Sequence, residues 1–270
     1  MGPYSLGPRD AELLAFIASH RAALPAQLAA LTGLRPSTVR NRLQALGRAG
    51  LVRHRPVASG HPAARLITPA GLQLLGRPAG RSELKPAEYL HDIAAGWLWL
   101  AARDGAFGPV RAIRTERELR SHDGLPRPAG DSDREPLGVR RLDTGPRGRE
   151  RLHHPDLELE TAAGQRVAIE LELTPKADRE LDGILAAYAA DPRVDAVVYV
   201  IGEDGLEAKV RRAAARAGAE GKLFVRRFGL SPELQALATA VGHRSAGRAV
   251  ARGRPAAAGR MRADAPEASR

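Results

Sequence analysis

Residues 154–176 read HPDLELETAAGQRVAIELELTPK, two runs of alternating apolar and acidic residues around a short polar turn. This alternation predicts a β-hairpin, because successive side chains of a strand point to opposite faces of the sheet. One face would carry aliphatic residues: Leu157, Leu159, Val167, Ile169, Leu171 and Leu173. The other face would carry five carboxylates: Asp156, Glu158, Glu160, Glu170 and Glu172.

The register of the hairpin decides which carboxylates meet. If Ala162, Ala163 and Gly164 form a three-residue loop with Gly164 left-handed, Asp156 lies opposite Glu170 and Glu158 lies opposite Ala168. Opposed residues have Cβ atoms about 5 Å apart, and two carboxylates that close repel unless a cation or a proton lies between them. Asp156 and Glu170 are therefore interpreted as ligands of a divalent metal. The alternative is a charged hairpin face that is turned to water.

The composition sets further bounds. A chain of 270 residues is long enough for two domains with separate cores. It contains no cysteine, which excludes disulfides and thiolate metal sites and favours Mg²⁺ or Mn²⁺ over structural zinc. Neither an apolar run of membrane-spanning length nor a signal-like N-terminal segment is present, so we expect a soluble, cytoplasmic protein.

The net charge of +11 is unevenly distributed. Residues 1–78 hold ten arginines against two acidic residues, and residues 243–270 hold seven against two. Residues 151–242 hold twelve basic residues against fifteen acidic ones. Basic segments at both ends predict a polyanionic partner. A coding bias that favours arginine is the alternative, although it would not by itself place the charge so asymmetrically.

The N-terminal segment shows a succession of short helices and strands. Its periodicity predicts helices over 9–20, 26–31 and from Pro36 to Gly50, strands over 51–55 and 64–68, a turn over 58–62 and a last helix over 70–75. With AGLV before the wing and LITPAG after it, this order resembles the winged helix-turn-helix of bacterial regulators. The resemblance covers residues 9–77 and implies a partner of double-stranded DNA.

The third helix would then be the recognition helix. If Val39, Leu43 and Leu46 face the core, five polar residues project outward: Ser37, Thr38, Arg40, Asn41 and Gln44. Arginine and asparagine can read base edges, and hydroxyl groups suit phosphates. On the wing, the predicted contacts to the DNA backbone are Arg53, Arg55, His61 and Arg65. The alternative, a winged helix that docks proteins, would not need this charge.

The second part of the chain is predicted as an α/β unit over residues 86–241, after a linker over 78–85. Before the acidic hairpin, the pattern indicates a helix from Pro86 to Arg103, a strand over 110–113 and a long mobile excursion over 121–150 with a loop over 121–124. After the hairpin it indicates a helix capped by Thr174 and begun by Pro175, and then a buried strand over 194–201. A helix over 206–217, a strand over 223–227 and a helix over 232–241 complete the unit. Residues 242–270 are predicted to be a disordered basic tail.

The second unit resembles the PD-(D/E)XK nuclease-like fold, with Asp156 at one strand start and Glu170 in the next strand. More narrowly, the winged helix together with HPD, VAIELELTPK and AAYAADPRVDAVVYVI is similar to the actinobacterial replication-relaxation family of plasmids and mobile elements. The resemblance implies an α/β (α+β) fold class, in which a mixed sheet flanked by helices follows the winged helix. It also implies a Mg²⁺ or Mn²⁺ ion on Asp156 and Glu170 that activates water.

One position departs from the nuclease pattern. Glu172 stands where the superfamily usually has a lysine that orients the water, a variant that also occurs in some restriction enzymes. Lys176 is the predicted substitute, placed as the second residue of its helix, where the carboxylates would compensate the helix dipole. The candidate catalytic set is therefore Asp156, Glu170, Glu172 and Lys176. The alternative for Lys176 is an ordinary surface salt bridge.

Weaker signals accompany this set. His153 and His154 are candidates for metal or phosphate contacts, as are Arg114, Arg117 and Arg120, whose alternative is pairing with nearby acidic residues; Tyr188 is predicted to be core.

Three functions remain open. The first is a DNA-binding protein of a plasmid or mobile element that cleaves DNA with a divalent metal, and the second is a non-catalytic regulator. The third is a dimerisation platform with no direct role on DNA. A homodimer is an expected partner state beside double-stranded DNA.

Overall fold

The computed structural model describes residues 6–56, 63–78, 88–125, 135–143, 150–202, 204–227 and 229. Several predictions fall outside these residues: the wing turn with His61, most of the linker, the start of the helix at Pro86, the helix over 232–241, the tail over 242–270 and the parts 126–134 and 144–149 of the excursion. No helix among the described residues is long and apolar enough to cross a membrane.

The N-terminal unit is a helix-turn-helix followed by a β-hairpin. Its elements are α1 (Pro8–Ser19), β1 (Ala22–Ala23), α2 (Pro25–Thr32), α3 (Pro36–Arg48), β2 (Val52–Arg55), β3 (Ala64–Ile67) and α4 (Pro69–Leu74). All four helices begin with proline, which suits the first helical position because its backbone nitrogen needs no partner there. The predicted elements are confirmed, and β1, too short to leave a pattern, is added as an edge strand beside β3.

The second unit is built on a five-stranded mixed sheet. Its elements are α5 (Tyr89–Arg103), β4 (Val110–Thr115), α6 (Glu116–Asp123), β5 (Val139–Arg140), β6 (Leu152–His153), β7 (Leu157–Thr161), β8 (Arg166–Glu172), α7 (Asp178–Ala190), β9 (Ala196–Ile201), α8 (Asp204–Ala217) and β10 (Leu223–Arg227). The strand order is β10-β9-β8-β7-β4, with β10, β9 and β8 parallel and the rest antiparallel. A mixed α/β fold is thereby confirmed.

The register of the acidic hairpin is as predicted. Glu158 pairs with Ala168, and the Thr161 backbone nitrogen donates to the Gln165 carbonyl at 2.9 Å, which leaves a three-residue loop. Gly164 in that loop has a φ of +81°, a conformation that other residues rarely adopt. The strand register from which Asp156 was predicted to lie opposite Glu170 is therefore correct.

Both faces of the sheet are covered by helices. On the aliphatic face, α5 packs Ala94, Leu98 and Ala102 against the hairpin and β9. On the other face, α7 and α8 pack against Ala168 and the inner side of β9. The carboxylates Glu158, Glu170 and Glu172 are only 2–3% exposed. The alternative of a charged face turned to water is thus wrong for these three residues.

Three local predictions are corrected. Residues 121–123 belong to α6 and not to a loop, because Thr115 and Glu118 form a capping box that starts this helix. Strand β5 lies within the predicted excursion over 121–150 and pairs with β6, which follows that segment. Helix α7 begins at Asp178 and not at Pro175, since the Lys176 backbone nitrogen donates to the Glu172 side chain instead of entering the helix.

Helix α5 joins the two units. Tyr89 and Ile93 pack with β1 and β3, while Ala94, Leu98 and Ala102 face the five-stranded sheet. Gln27 of α2 is fully buried, and its amide donates to the Ile93 carbonyl at 2.8 Å. Arg21 adds ion pairs to Asp92 and Glu116 at 3.6 and 3.4 Å. The division of the chain at the linker stays a prediction, but the two cores share this helix.

Candidate nucleic-acid interface and acidic cleft

Asp156, Glu170 and Lys176 line one cleft with a volume of about 400 Å³, together with His91 and His153. Asp156 lies directly before β7, Glu170 lies on β8, and Lys176 lies on the loop between β8 and α7. The two histidines come from α5 and β6. Sequence reasoning placed the first three residues correctly in one pocket, whereas the role of each in catalysis stays a prediction.

Asp156 is held by the backbone and by a histidine. Its Oδ2 accepts a hydrogen bond from the Leu171 backbone nitrogen at 2.7 Å and lies 3.3 Å from Nε2 of His91. Burial raises the pKa of Asp156, but the charge of His91 and the hydrogen bonds outweigh burial and keep it below its usual value. Burial likewise lowers the pKa of His91, and Asp156 more than offsets this, raising it to about 9. At neutral pH the pair is a carboxylate and an imidazolium.

Glu170 is anchored through a single oxygen. Its Oε1 accepts from the Tyr188 hydroxyl at 2.5 Å and lies 2.7 Å from Nε2 of His153. Burial and the charge of Glu170 raise the pKa of Tyr188, so its hydroxyl stays a donor at neutral pH. Tyr188 is a core residue, as predicted, and it also orients the carboxylate.

Lys176 forms an ion pair with Glu172 at the side of the cleft. Its Nζ contacts Oε2 of Glu172, and its backbone nitrogen donates to Oε1 at 3.2 Å. Burial lowers the pKa of Lys176, but Glu170 and Glu172 outweigh burial and raise it. Because Lys176 precedes α7, the predicted unfavourable helix-dipole contact is wrong. The salt bridge that was the alternative for Lys176 is present, and the side chain still lines the cleft.

The remaining carboxylates of the hairpin are paired with arginines. Glu158 lies 2.9 Å from Arg114 and 2.6 Å from Arg166, and Arg114 also approaches Glu160 at 3.7 Å. Arginine neutralises the charge of Glu158 inside the sheet. Only part of the five-carboxylate surface therefore faces the cleft.

Asp156 and Glu170 are the carboxylates that a divalent metal would meet in the cleft. Among the described residues, no group of three or more His, Asp or Glu side chains has the geometry of a metal site. Magnesium, however, is commonly bound by one or two carboxylates with water and phosphate completing its shell. The hydrogen bonds of Asp156 and Glu170 involve one oxygen of each carboxylate. Asp156 and Glu170 are thus the residues that would hold Mg²⁺ or Mn²⁺, and the metal stays a prediction.

His154 also lines the cleft and is held there by its own partner. Its Nε2 lies 2.9 Å from Oδ2 of Asp123, and both side chains are buried. Asp123 also accepts from the backbone nitrogens of Leu137 and Gly138 at 2.8 Å. Asp123 thereby ties α6 both to His154 and to the segment before β5.

Helix α3 shows the two faces that the sequence predicted. Val39, Leu43 and Leu46 are buried against the other helices of the N-terminal unit. On the opposite side, Ser37, Arg40, Asn41 and Gln44 are exposed and Thr38 is half-buried. Arg42 lies between the two faces and pairs with Asp10 of α1 at 2.9 Å, which fixes α3 on α1.

The wing contributes arginines to the same unit. Arg53 and Arg55 are exposed on β2. Arg65 on β3 is half-buried, burial lowers its pKa, and one of its guanidinium nitrogens has no hydrogen-bond partner among the described residues. Arg53 and Arg55 are thus more accessible to a ligand than Arg65.

Residues 9–56 match the family model of the IclR helix-turn-helix domain. This stretch runs from α1 through β2, so the chain carries an N-terminal helix-turn-helix DNA-binding domain. No curated protein and no solved structure matches the chain. The resemblances to the replication-relaxation family and to the PD-(D/E)XK fold stay predictions.

His91 is one of the cleft residues that sequence reasoning missed. It lies on α5 between Leu90 and Ile93, beside the polar Asp92, so the local pattern does not single it out. Its partner, Asp156, could not be identified before the packing of α5 on the sheet was known.

Proposed function

We propose that the protein is a DNA-binding regulator whose helix α3 reads duplex DNA in the major groove. The observation that carries this proposal is the exposed polar face of α3 within a domain that matches a helix-turn-helix family. Arg40 suits guanine and Asn41 suits adenine, each through two hydrogen bonds that discriminate by about 1–3 kcal/mol. Arg53 and Arg55 would contact the backbone beside the groove.

The experiment measures binding of the full chain to duplex DNA over a series of salt concentrations. Asn41→Ala should weaken binding to a preferred duplex about 5- to 150-fold without changing the salt dependence. Arg55→Ala should weaken all duplexes alike and lower the slope against log salt by about 0.9. Arg211→Ala on α8 removes one exposed arginine as a control. Unchanged binding in both test variants would show that the N-terminal unit is not the DNA reader.

The proposed regulator acts in the replication or maintenance of a plasmid or mobile element. The resemblance to the replication-relaxation family supports this setting. Helix-turn-helix proteins often bind two half-sites as dimers, so we also propose a homodimer on DNA. Light scattering of the complex at defined stoichiometry tests the dimer, and one chain per duplex with a single protected half-site would contradict it.

A second candidate function is metal-dependent DNA cleavage, favoured by the convergence of Asp156, Glu170 and Lys176 on one cleft. Asp156 and Glu170 would hold Mg²⁺ or Mn²⁺, which when bound supplies an acidified water and neutralises phosphate charge. Tyr188 and His153 orient Glu170, and His91 orients Asp156. Lys176 would contact the phosphate or the water from the side of the cleft.

Cleavage is tested with supercoiled and linear plasmid, with and without Mn²⁺. Nicking should require Mn²⁺ and should disappear in Glu170→Ala but persist in Glu160→Ala, a substitution on the same hairpin outside the cleft. A melting temperature that rises with Mn²⁺ in the wild type and not in Glu170→Ala would report metal binding independently. Equal nicking by both variants would exclude the cleft as the site, and no nicking by the wild type would leave the regulator as the function.

A further inference from the structure

A second groove lies between the two units. We call it the seam groove; it is lined by Leu72 and Arg77 on the N-terminal side and by Arg117, Arg120, His122 and Leu125 on the side of α6. Its volume is about 590 Å³, larger than that of the acidic cleft. Neither the helix-turn-helix match nor the acidic cleft accounts for it.

The walls of the seam groove are rich in arginine. Three arginines face one acidic residue, Glu118. Glu118 is already engaged, because it accepts from Ser19 at 2.8 Å and from the Thr115 backbone at 3.0 Å, and lies 3.3 Å from Arg77. The single carboxylate in the lining is thus shared between several donors and leaves a net positive wall.

The neighbouring positive charges affect the pKa of Arg117. Burial lowers its pKa first, and the charges of Arg21 and Arg77 lower it further. Cations that are partly removed from water repel each other, and a bound anion relieves that repulsion. The lining of the groove is therefore suited to a negatively charged ligand.

Arg120 connects the groove to the acidic cleft, because its side chain lines both. It pairs with Glu116 at 2.7 Å, one helical turn away, and is 52% exposed. Such exposed pairs contribute little to stability, so a ligand could recruit this guanidinium at small cost. A strand in the seam groove would pass Arg120 before it reached Asp156 and Glu170.

We propose that the seam groove binds one phosphodiester strand of DNA. Planar guanidinium groups donate two parallel hydrogen bonds to phosphate, and the exposed aliphatic side chain of Leu125 suits a sugar. This inference rests on the proposed DNA-binding function and adds a second contact to it. The recognition helix would fix the duplex, and the seam groove would hold a strand next to the acidic cleft.

The test uses the full chain and a fluorescent oligothymidylate, which presents phosphates without duplex grooves. Arg120→Ala and Arg117→Ala should each weaken binding several-fold and lower the slope against log salt by about 0.7. Arg211→Ala is a matched control, because Arg211 also pairs with a glutamate one turn away, Glu207. Arg120→Glu is the second variant, since an exposed position tolerates it and it should weaken binding more than Arg120→Ala.

The outcomes separate this inference from the proposed function. Suppose that the seam variants bind oligothymidylate as well as Arg211→Ala does, while Asn41→Ala still loses duplex binding. The proposal that the seam groove binds a strand is then wrong, and the proposal that α3 reads DNA is supported. If polyglutamate competes as well as oligothymidylate at equal charge, the groove binds acidic peptide and the inference is wrong. If the seam variants lose binding to oligothymidylate and Asn41→Ala loses binding to duplex DNA, the results support both the strand-binding role of the seam groove and the DNA-reading role of α3.

Discussion

His20 is a buried imidazole at the C-terminal end of α1. Its Nδ1 lies 2.9 Å from the Phe16 carbonyl, and its ring stacks on Phe16 with centroids 4.1 Å apart. Trp99 of α5 closes the pocket with its ring centroid 5.7 Å away. Burial lowers the pKa of His20 to about 4, so the imidazole is neutral in the folded protein at neutral pH.

This residue predicts a pH dependence of stability. Between pH 6.5 and pH 4 the unfolded chain protonates His20 and the folded chain does not, so stability falls as the pH is lowered through this range. The loss attributable to His20 should be about 3 kcal/mol between pH 7 and pH 4. Urea unfolding at several pH values should show this loss in the wild type and lack it in His20→Phe. His54→Phe on the exposed strand β2 is the matched control, and the same pH dependence in both variants would contradict the prediction.

The hydroxyl of Tyr188 provides a second test at this scale. Tyr188 and Tyr199 are both fully buried, but only Tyr188 donates to Glu170, and Tyr199 has no hydrogen-bond partner among the described residues. Removing a hydrogen bond to a buried charge costs about 1–3 kcal/mol, whereas removing an unsatisfied hydroxyl costs little. Tyr188→Phe should lower the free energy of unfolding by this amount, and Tyr199→Phe should leave it nearly unchanged. Equal effects of both substitutions would exclude an orienting role of Tyr188.

At the scale of elements, α5 depends on a close approach to α2. A Cβ atom on Gly96 would lie 2.5 Å from the Gln27 amide nitrogen, which is held by its bond to Ile93. Gly96→Ala should therefore destabilise the protein by about 1–3 kcal/mol. Gly205→Ala on α8 meets open space and should gain up to about 1 kcal/mol from helix propensity. Thermal unfolding separates the two, and a stabilised Gly96→Ala would show that the helices do not pack as closely as described.

The helices and strands that can be predicted from the sequence are those with a strong local pattern. Helix α3 and strand β9 were predicted closely, because apolar periodicity and a continuous β-branched run are local properties. The predicted start of helix α7 is too early. Thr174 and Pro175 resemble a helix start, but the Lys176 backbone nitrogen donates to the Glu172 side chain and stays outside the helix. Strands β5 and β6 have two residues each and exist only as a pair, which no local pattern could reveal.

The acidic cleft was partly predictable for the same reason. The local hairpin pattern predicts the observed register of β7 and β8, and Asp156 and Glu170 line the same cleft. The groups that neutralise and orient them, among them His91 and Tyr188, arrive from helices placed by tertiary packing. A sequence alone gives the carboxylates but not the contacts that set their charge.

At the scale of the whole molecule, function depends on how the two units are joined. Helix α5 contributes to both cores, and Arg21 of the N-terminal unit lines the acidic cleft with Asp156. DNA read by α3 would therefore lie at a fixed distance from the cleft and from the seam groove. The uneven charge of the sequence suits this arrangement, because the basic N-terminal unit attracts the polyanion.

Selection of duplexes from a random-sequence pool is the most direct test of DNA reading by α3. The full chain should enrich one common sequence, and Arg211→Ala should enrich the same one. Asn41→Ala should relax the selection at one base position and Arg40→Ala at another, each by about 1–3 kcal/mol. The same sequence enriched equally by all variants, or no enriched sequence at all with the wild type, would contradict the assignment of α3 as the recognition helix.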